Sequence, residues 1–144
     1  MQIYRVSIAV LFLGAILTPA WSADVTEAVA LFDSYVKAVN EDDLPAELKL
    51  FQQDRDVISV VGDQVSVGIE AVRRARTVSQ RWTALDVLTL RAYELGDSSV
   101  FLFATVEYRD PATDSVRTGT AALSLVLVET AQGWQIKHHH LSDV

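Results

Sequence analysis

The second half of the chain contains long segments in which apolar side chains occupy both faces of an alternating pattern. Between Val100 and Arg109, positions 100, 102, 104 and 106 are apolar, and Phe101 and Phe103 make the opposite face apolar as well. A strand of an antiparallel sheet that meets water on one side carries polar residues on that side. Both faces of this predicted sheet therefore need a cover. Helices can cover one face, and we expect a second copy of the chain to cover the other, giving a homodimer.

The periodicity of the apolar residues predicts three helices and six strands. A first helix is expected from Asp24, its predicted N-cap, to about Asn40, a short second helix from Leu44 to Phe51, and a third from Gly68 to about Arg81. No linker or repeat divides these elements, so we predict one domain over residues 23–144. The predicted strands cover residues 57–61, 65–67, 85–95, 100–109, 117–129 and 134–141.

The amino-terminal residues have the layout of a secretory signal peptide. A head with one arginine precedes an apolar run from Val6 to Leu17, which is followed by a proline and small residues. Ala20 and Ser22 satisfy the small-x-small pattern, so we predict a signal peptide over residues 1–22, with cleavage after Ala20 or Ala23 as alternatives. A retained anchor would need about 20 apolar residues, more than this run supplies. The protein is expected to be periplasmic or secreted, with no stable membrane anchor.

Charge and cysteine content exclude several classes of protein. The chain has 19 acidic against 12 basic residues and a formal net charge of -7, which argues against nucleic acid as a partner because phosphate contacts need clustered positive charge. It has no cysteine, so disulfides and thiolate metal sites are excluded.

Four pieces of the sequence, in order, resemble the SnoaL-like branch of the nuclear transport factor 2-like superfamily. The resemblance spans Asp24 to Ser142 and extends to the association domain of calcium/calmodulin-dependent kinase. It implies an α+β fold, a cone-shaped α+β barrel in which a curved, mostly antiparallel sheet and three helices close a pocket. In this family the pocket and the dimer interface use opposite faces of the sheet. The matching pieces are Phe32-x-x-Tyr35-x-x-Ala38 with Asp42-Asp43, Phe51-x-x-Asp54-x-Asp56-Val57, Gly68-x-Glu70-Ala71-Val72-Arg73 and Gly133-Trp134-x-Ile136-x-His138-x-His140-x-Ser142.

All three histidines of the chain are consecutive in the last predicted strand. Because side chains alternate along a strand, His138 and His140 are predicted to share a face with Trp134 and Ile136, while His139 faces the other way. If the alternation is regular, His138 and His140 are the expected polar contacts of the pocket.

A metal site at these histidines would need more ligands than the strand supplies. An i, i+2 imidazole pair can chelate an ion, but a zinc or iron site requires a third ligand. With no further histidine or cysteine, that ligand would be a carboxylate such as Asp86, Glu94 or Glu107, and nothing in the sequence places one beside the pair. We therefore predict no metal site and no cofactor.

Acid–base chemistry is the second reading of the pocket. Tyr35 resembles in position the first-helix tyrosine of ketosteroid isomerases, but Ser59 stands where their carboxylate base would lie. A serine cannot hold an abstracted proton as a carboxylate does, so this isomerase chemistry is not expected. A dehydratase or cyclase with His138 or His140 as the general base, and Tyr35 polarising a carbonyl, stays open.

The residues assigned to the pocket leave two functions open. The first is an exported protein that binds a small ligand, whose catalytic version would be a cofactor-free lyase, isomerase or cyclase acting on a small apolar or carbonyl compound. The second is a non-catalytic oligomerisation or interaction module. Arg73, Arg74 and Arg76 are expected on a solvated helix face, and of the arginines only Arg76 and Arg91 are candidates to turn inward toward an acidic ligand. The candidate ligand-binding residues are His138, His140, Tyr35, Trp82, Arg91 and Tyr93.

Overall fold

Three helices and six strands form, in the predicted order. The computed structural model describes residues 22–78, 84–110 and 117–144. Residues 1–21 of the predicted signal peptide, the end of the predicted third helix with Trp82, and the predicted turn after Asp110 lie outside these ranges. The elements are α1 (Ala23–Asn40), α2 (Leu44–Lys49), β1 (Ile58–Val61), β2 (Gln64–Val67), α3 (Ile69–Val78), β3 (Ala84–Gly96), β4 (Ser99–Asp110), β5 (Arg117–Thr130) and β6 (Gly133–Asp143).

The strands form one mixed sheet in the order β2-β1-β6-β5-β4-β3. Neighbouring strands pair antiparallel except β1 and β6, which run parallel. The parallel pair brings the last strand of the chain beside the first, so side chains distant in sequence meet at the middle of the sheet. None of the helices in the described ranges is both long and apolar enough to cross a membrane.

Helix α1 packs on the sheet through residues spaced three and four apart, as the sequence predicts. Its N-cap is Ser22, whose hydroxyl oxygen accepts a hydrogen bond from the Val25 amide at 3.3 Å. The prediction of Asp24 as the cap is therefore wrong by two residues, because a serine is an equally good cap and lies directly before the helix. The side chains of the buried face are Val25, Ala28, Phe32, Tyr35 and Val39.

The two faces of the sheet differ in burial. On strands β4 and β5, one set of alternating side chains is buried beneath the helices, and we call this the inner face. The opposite, outer face carries Phe101 and Phe103 on β4 and Val126 on β5, and Phe103 is 36% exposed. The buried inner-face residues are Val100, Leu102, Ala104, Val106, Ala121, Leu123, Leu125 and Leu127.

Strand β6 contains one extra residue relative to β5. Ile136 pairs with Leu127, but the next pair along the strands is His138 with Val126. Lys137 therefore has no partner on β5 and forms a β-bulge, which places two residues of one strand opposite one of the other. A bulge shifts the phase of side-chain alternation along the rest of the strand.

The bulge decides which histidine faces the interior. Ile136, His139 and Leu141 are all buried on the inner face, although the first two are three positions apart. His138 and His140 lie on the outer face and are half-buried. The prediction that His138 and His140 share the face of Ile136 is wrong, because a regular alternation was assumed through Lys137.

Candidate functional site

Five polar side chains from five different elements meet under the helices at the inner face of the sheet. His139 on β6 is fully buried at 0% exposure and Glu47 on α2 is 2% exposed, while Arg76 on α3 retains 14%. Tyr35 on α1 and Ser59 on β1 are buried as well. We call these five residues the interior polar cluster.

His139 lies at the centre of the interior polar cluster. Its Nε2 atom is 2.9 Å from the Tyr35 hydroxyl oxygen, and its Nδ1 atom is 3.2 Å from the hydroxyl oxygen of Ser59. Nη2 of Arg76 donates to the Ser59 oxygen at 3.4 Å and lies 3.4 Å from each ring nitrogen. Both nitrogens of this imidazole are thus engaged by side chains from three other elements, α1, β1 and α3.

The imidazole of His139 is held neutral. Burial lowers its pKa well below the usual 6.5, and the charges of Arg76, His138 and His140 lower it further. Burial dominates because a protonated ring would lose its hydration without gaining an acidic partner. A neutral imidazole carries one N–H and one lone pair, so it donates on one side and accepts on the other.

The position of that single proton determines what Tyr35 can do. If Nδ1 accepts from the Ser59 hydroxyl, Nε2–H donates to the Tyr35 oxygen and the phenolic proton can be donated elsewhere. In the other tautomer Tyr35 donates to Nε2 instead. Arg76, which can only donate, lies 3.4 Å from both ring nitrogens and does not distinguish the two tautomers. The first tautomer presents a phenolic donor backed by a neutral imidazole.

Arg76 and Glu47 form an ion pair inside the fold. Nε of Arg76 lies 3.0 Å from Oε1 of Glu47, and the guanidinium carbon lies 6.0 Å from the centre of the Phe51 ring. The Phe51 ring also contacts that of His139, at 6.0 Å between centroids. One positive and one negative charge cancel, and with a neutral imidazole the interior polar cluster has no net charge.

Local sequence explains how Glu47 reaches this position. Asp43 is the N-cap of α2 and its carboxylate accepts from the Ala46 amide at 2.9 Å, while Pro45 occupies the first turn. The helix is only six residues long, and Glu47 and Leu48 are its buried residues. A glutamate in so short a helix carries no sequence signal of burial, so Glu47 is not among the predicted site residues.

The predicted ligand-binding residues are only partly brought together. Tyr35 lies in the interior polar cluster, whereas His138 and His140 lie on the outer face. Arg91 and Tyr93 on β3 pair with Phe103 and Phe101 across the strands, which places them on the outer face too, and both are exposed. Trp82 lies outside the described residues. Of the arginines considered, Arg76 turns inward and Arg91 does not.

A family model described as SnoaL-like domain matches residues 28–144. The chain belongs to this family. The match covers every element of the fold except the start of α1, in agreement with the resemblance seen in the sequence. No curated protein matches the chain.

Solved structures of the same fold come from several bacteria. A ketosteroid isomerase-like protein from Erwinia carotovora atroseptica has a TM-score of 0.73 at 18% identity, covering 86% of this chain and 98% of that one. A candidate dehydratase of the nuclear transport factor 2-like family from Streptomyces avermitilis has a TM-score of 0.73 at 17% identity, covering 84% and 96%. At such identities the similarity shows the fold alone. The predicted α+β fold, with three helices and a mostly antiparallel sheet, is confirmed.

Proposed function

We propose that this protein binds a small, neutral, largely apolar ligand through a carbonyl or hydroxyl group at the interior polar cluster. The observation that carries the proposal is the convergence of three polar side chains from three elements, Tyr35, Ser59 and Arg76, on one buried imidazole, with Glu47 paired to Arg76 behind them. Apolar side chains of similar volume would stabilise the fold as well or better than a buried ion pair. Recognition of a polar group is therefore a better account of the cluster than stability.

Charge balance supports a neutral ligand over an acidic one. An anion buried in the fold needs a cation that is not already neutralised. Arg76 is paired with Glu47 at 3.0 Å, and Arg91 lies exposed on the outer face. A carbonyl or hydroxyl group needs only a hydrogen-bond donor or acceptor, and Tyr35, Ser59 and Arg76 provide both.

The proposal extends to catalysis, in which the same site would transfer a proton of the bound ligand. A lyase, isomerase or cyclase needs a base near a polarised carbonyl, and the base must be unprotonated at the working pH. His139 is neutral, and Tyr35 beside it can donate to a carbonyl oxygen when Nε2 carries the ring proton. Nδ1 is then the base and takes the substrate's proton in place of the hydrogen bond from Ser59. These two residues take the roles predicted from the sequence for His138 or His140 with Tyr35.

Loss of the Tyr35 hydroxyl is expected to weaken ketone binding about tenfold, the value of about one hydrogen bond. The probe is 2-acetylnaphthalene, a fluorescent ketone, and 2-naphthoate is its anionic counterpart with the same ring system. Wild-type protein should bind the ketone more tightly than the carboxylate, and Tyr35→Phe should lose most of that preference. Fluorescence titration measures both affinities.

The control for this titration is Tyr108→Phe. The Tyr108 hydroxyl lies 2.6 Å from a carboxylate oxygen of Asp143, in an exposed pair away from the interior polar cluster. This variant should bind the ketone as the wild type does. Equal affinities of the wild type and Tyr35→Phe, or tighter binding of 2-naphthoate, would contradict the proposal.

We also propose that the chain forms a homodimer through the outer face of the sheet. That face presents Phe101, Phe103 and Val126 near its middle, with Tyr93 stacked on Phe101 at 6.1 Å between ring centroids. An aromatic and aliphatic surface of this kind is typical of contacts between protein copies. The same face is what the alternative function, an oligomerisation or interaction module, would use.

Val126→Lys should convert the dimer to monomer at low micromolar concentration, because it buries an unpaired charge in the interface. Thr120→Lys is the matched control, since Thr120 lies on the same strand and face, at an exposed position near the end. Sedimentation velocity distinguishes the two. A wild type that sediments as monomer at this concentration would refute the dimer.

Export is proposed on the sequence of residues 1–22 alone. The mass of the protein recovered from the periplasm or the medium tests it, since removal of those residues leaves a chain that begins at Ala23.

A further inference from the structure

His138 and His140 lie inside the face of the sheet that the proposed dimer would bury. The bulge at Lys137 turns both of them outward, and β6 is the third of the six strands in the sheet. At the level of His138, paired residues form a row across five strands, namely Val67, Ile58, His138, Val126 and Phe101. This imidazole therefore has apolar neighbours on both sides.

The neighbouring row, which contains His140, has the same character. Its members across the same five strands are Val65, Val60, His140, Ser124 and Phe103. Of these five side chains, only His140 and Ser124 are polar. On the edge strand β2, Val65 and Val67 are 63% and 60% exposed, so the apolar surface continues to the edge of the sheet.

The outer face is large enough for a stable contact with a second copy. At about 3.3 Å per residue and about 4.8 Å between strands, the six strands present about 900 Å², and a standard interface buries about 800 Å² on each partner. A second copy offers the same apolar rows, so two such faces match each other in polarity. Imidazoles that are half-buried in one chain would then become buried between two.

Neither outer imidazole has an acidic partner. Within residues 22–78, 84–110 and 117–144, no hydrogen bond or ion pair joins His138 or His140 to another side chain. Arg91 lies at the β3 end of the row of His140, where it pairs with a residue of β4, and its positive charge opposes protonation of the pair. The carboxylates of Asp86 and Glu107 lie two rows beyond, about 13 Å along the strands.

The remaining charged groups near β6 do not favour a positive ring either. Lys137 pairs with Asp54 at 3.5 Å, and Arg76, on the inner side of the sheet, pairs with Glu47 at 3.0 Å. Burial already lowers the pKa of His138 below the usual 6.5, and the charge of His140 lowers it further. A protonated ring on the outer face is therefore stabilised chiefly by water.

We infer that His138 and His140 form a pH switch in the proposed dimer, which dissociates when these imidazoles are protonated. A neutral imidazole can be buried between two apolar faces, whereas an imidazolium would lose its water without gaining a partner. Association therefore lowers the pKa of the rings, so the dimer is strongest above pH 6.5 and weakens as the pH falls below that value. The inference rests on the proposed dimer and is independent of the interior polar cluster.

The overall charge of the protein would produce the opposite dependence on pH. The chain has a formal net charge of -7 at pH 7, so two copies repel each other at neutral pH. Protonation of carboxylates in acid reduces that repulsion and strengthens association. Weaker association in acid is therefore the specific sign of the histidine pair.

Sedimentation equilibrium at about pH 7.5 and about pH 5.5 tests the inference. The Kd of the wild-type dimer should rise at least about tenfold at the lower pH, since each subunit must release at least one proton to associate. His138→Gln combined with His140→Gln, which is neutral at both pH values, should dimerise at least as tightly at the lower pH as at the higher. Ser124→Ala on the adjacent strand is the control and should keep the wild-type dependence.

A second measurement needs no variant. The apparent pKa of the two outer imidazoles, followed by nuclear magnetic resonance, should be lower at protein concentrations above the Kd than below it. All of these proteins keep His139, and circular dichroism verifies that each is folded at both pH values.

The outcomes separate the switch from the dimer itself. A wild type that is monomeric at both pH values would refute the dimer and the switch together. A wild-type dimer that is equally tight at both pH values, or apparent pKa values that do not depend on concentration, would overturn the switch alone. So would a double variant that weakens in acid as much as the wild type does.

Discussion

Replacing Arg76 by methionine is expected to lower the free energy of unfolding by about 3 kcal/mol, the usual penalty for removing one partner of a buried ion pair. Glu47 would lose the cation that lies 3.0 Å away. Because its side chain is only 2% exposed, solvent cannot hydrate the carboxylate instead. The Ser59 hydroxyl would lose a donor at the same time. Urea or thermal unfolding, followed by far-ultraviolet circular dichroism, measures the loss.

Two further variants separate the buried pair from a general effect of losing an arginine. Arg73→Met on the same helix breaks an ion pair with Glu70 at 3.6 Å whose members are both well exposed, and should change stability by less than about 0.5 kcal/mol. Glu47→Gln combined with Arg76→Met should recover part of the loss, because no unpaired charge is then buried. Equal losses for Arg73→Met and Arg76→Met would show that Glu47 is not held in the interior.

The arrangement of elements could be predicted from sequence because it follows from repeated patterns. Apolar residues at helical spacing over residues 25–39 and alternation over residues 100–127 gave the helices and strands to within a few positions. Such patterns involve many residues, so one irregular position does not change the result. The confirmed fold class rests on them together with the resemblance to the SnoaL-like family.

The identity of the inward histidine could not be predicted, because it depends on one residue. A single unpaired residue at Lys137 shifts the alternation of everything after it, and a lysine gives no sign of a bulge as a glycine would. His139, the most buried of the three, was therefore assigned to the wrong face. Leu141 is the one residue after the bulge that indicates the shifted alternation. A leucine near the end of a strand is expected on the inner face, and Leu141 is buried there opposite Leu123.

The contacts of two other members of the interior polar cluster could not be predicted from the sequence for a different reason. The resemblance to ketosteroid isomerases predicted Ser59 at the place of their base, and its contact with His139 depends on the parallel pairing of β1 and β6. Glu47 lies in a six-residue helix too short for its periodicity to be read. Contacts between elements far apart in sequence are set by topology, which local patterns do not encode.

Phe51→Ala is expected to cost about 3–5 kcal/mol of stability, since it opens a cavity at a fully buried aromatic position. The ring does more than fill space here. It lies under the Arg76 guanidinium at 6.0 Å and against His139, and its backbone bridges to Ile136 on β6. Its loss would therefore leave two polar groups of the interior polar cluster beside empty volume, where water can enter.

The matched control for Phe51→Ala is the same substitution at Phe103, on the opposite face of the sheet. With 36% of its surface exposed, Phe103 leaves no enclosed cavity, so Phe103→Ala should cost about 1 kcal/mol or less in the monomer. Chemical denaturation at a protein concentration below the dimerisation range compares the two. If Phe103→Ala proved as costly as Phe51→Ala under those conditions, the outer face would have to be packed within a single chain. The outer surface proposed for the dimer would then be wrong.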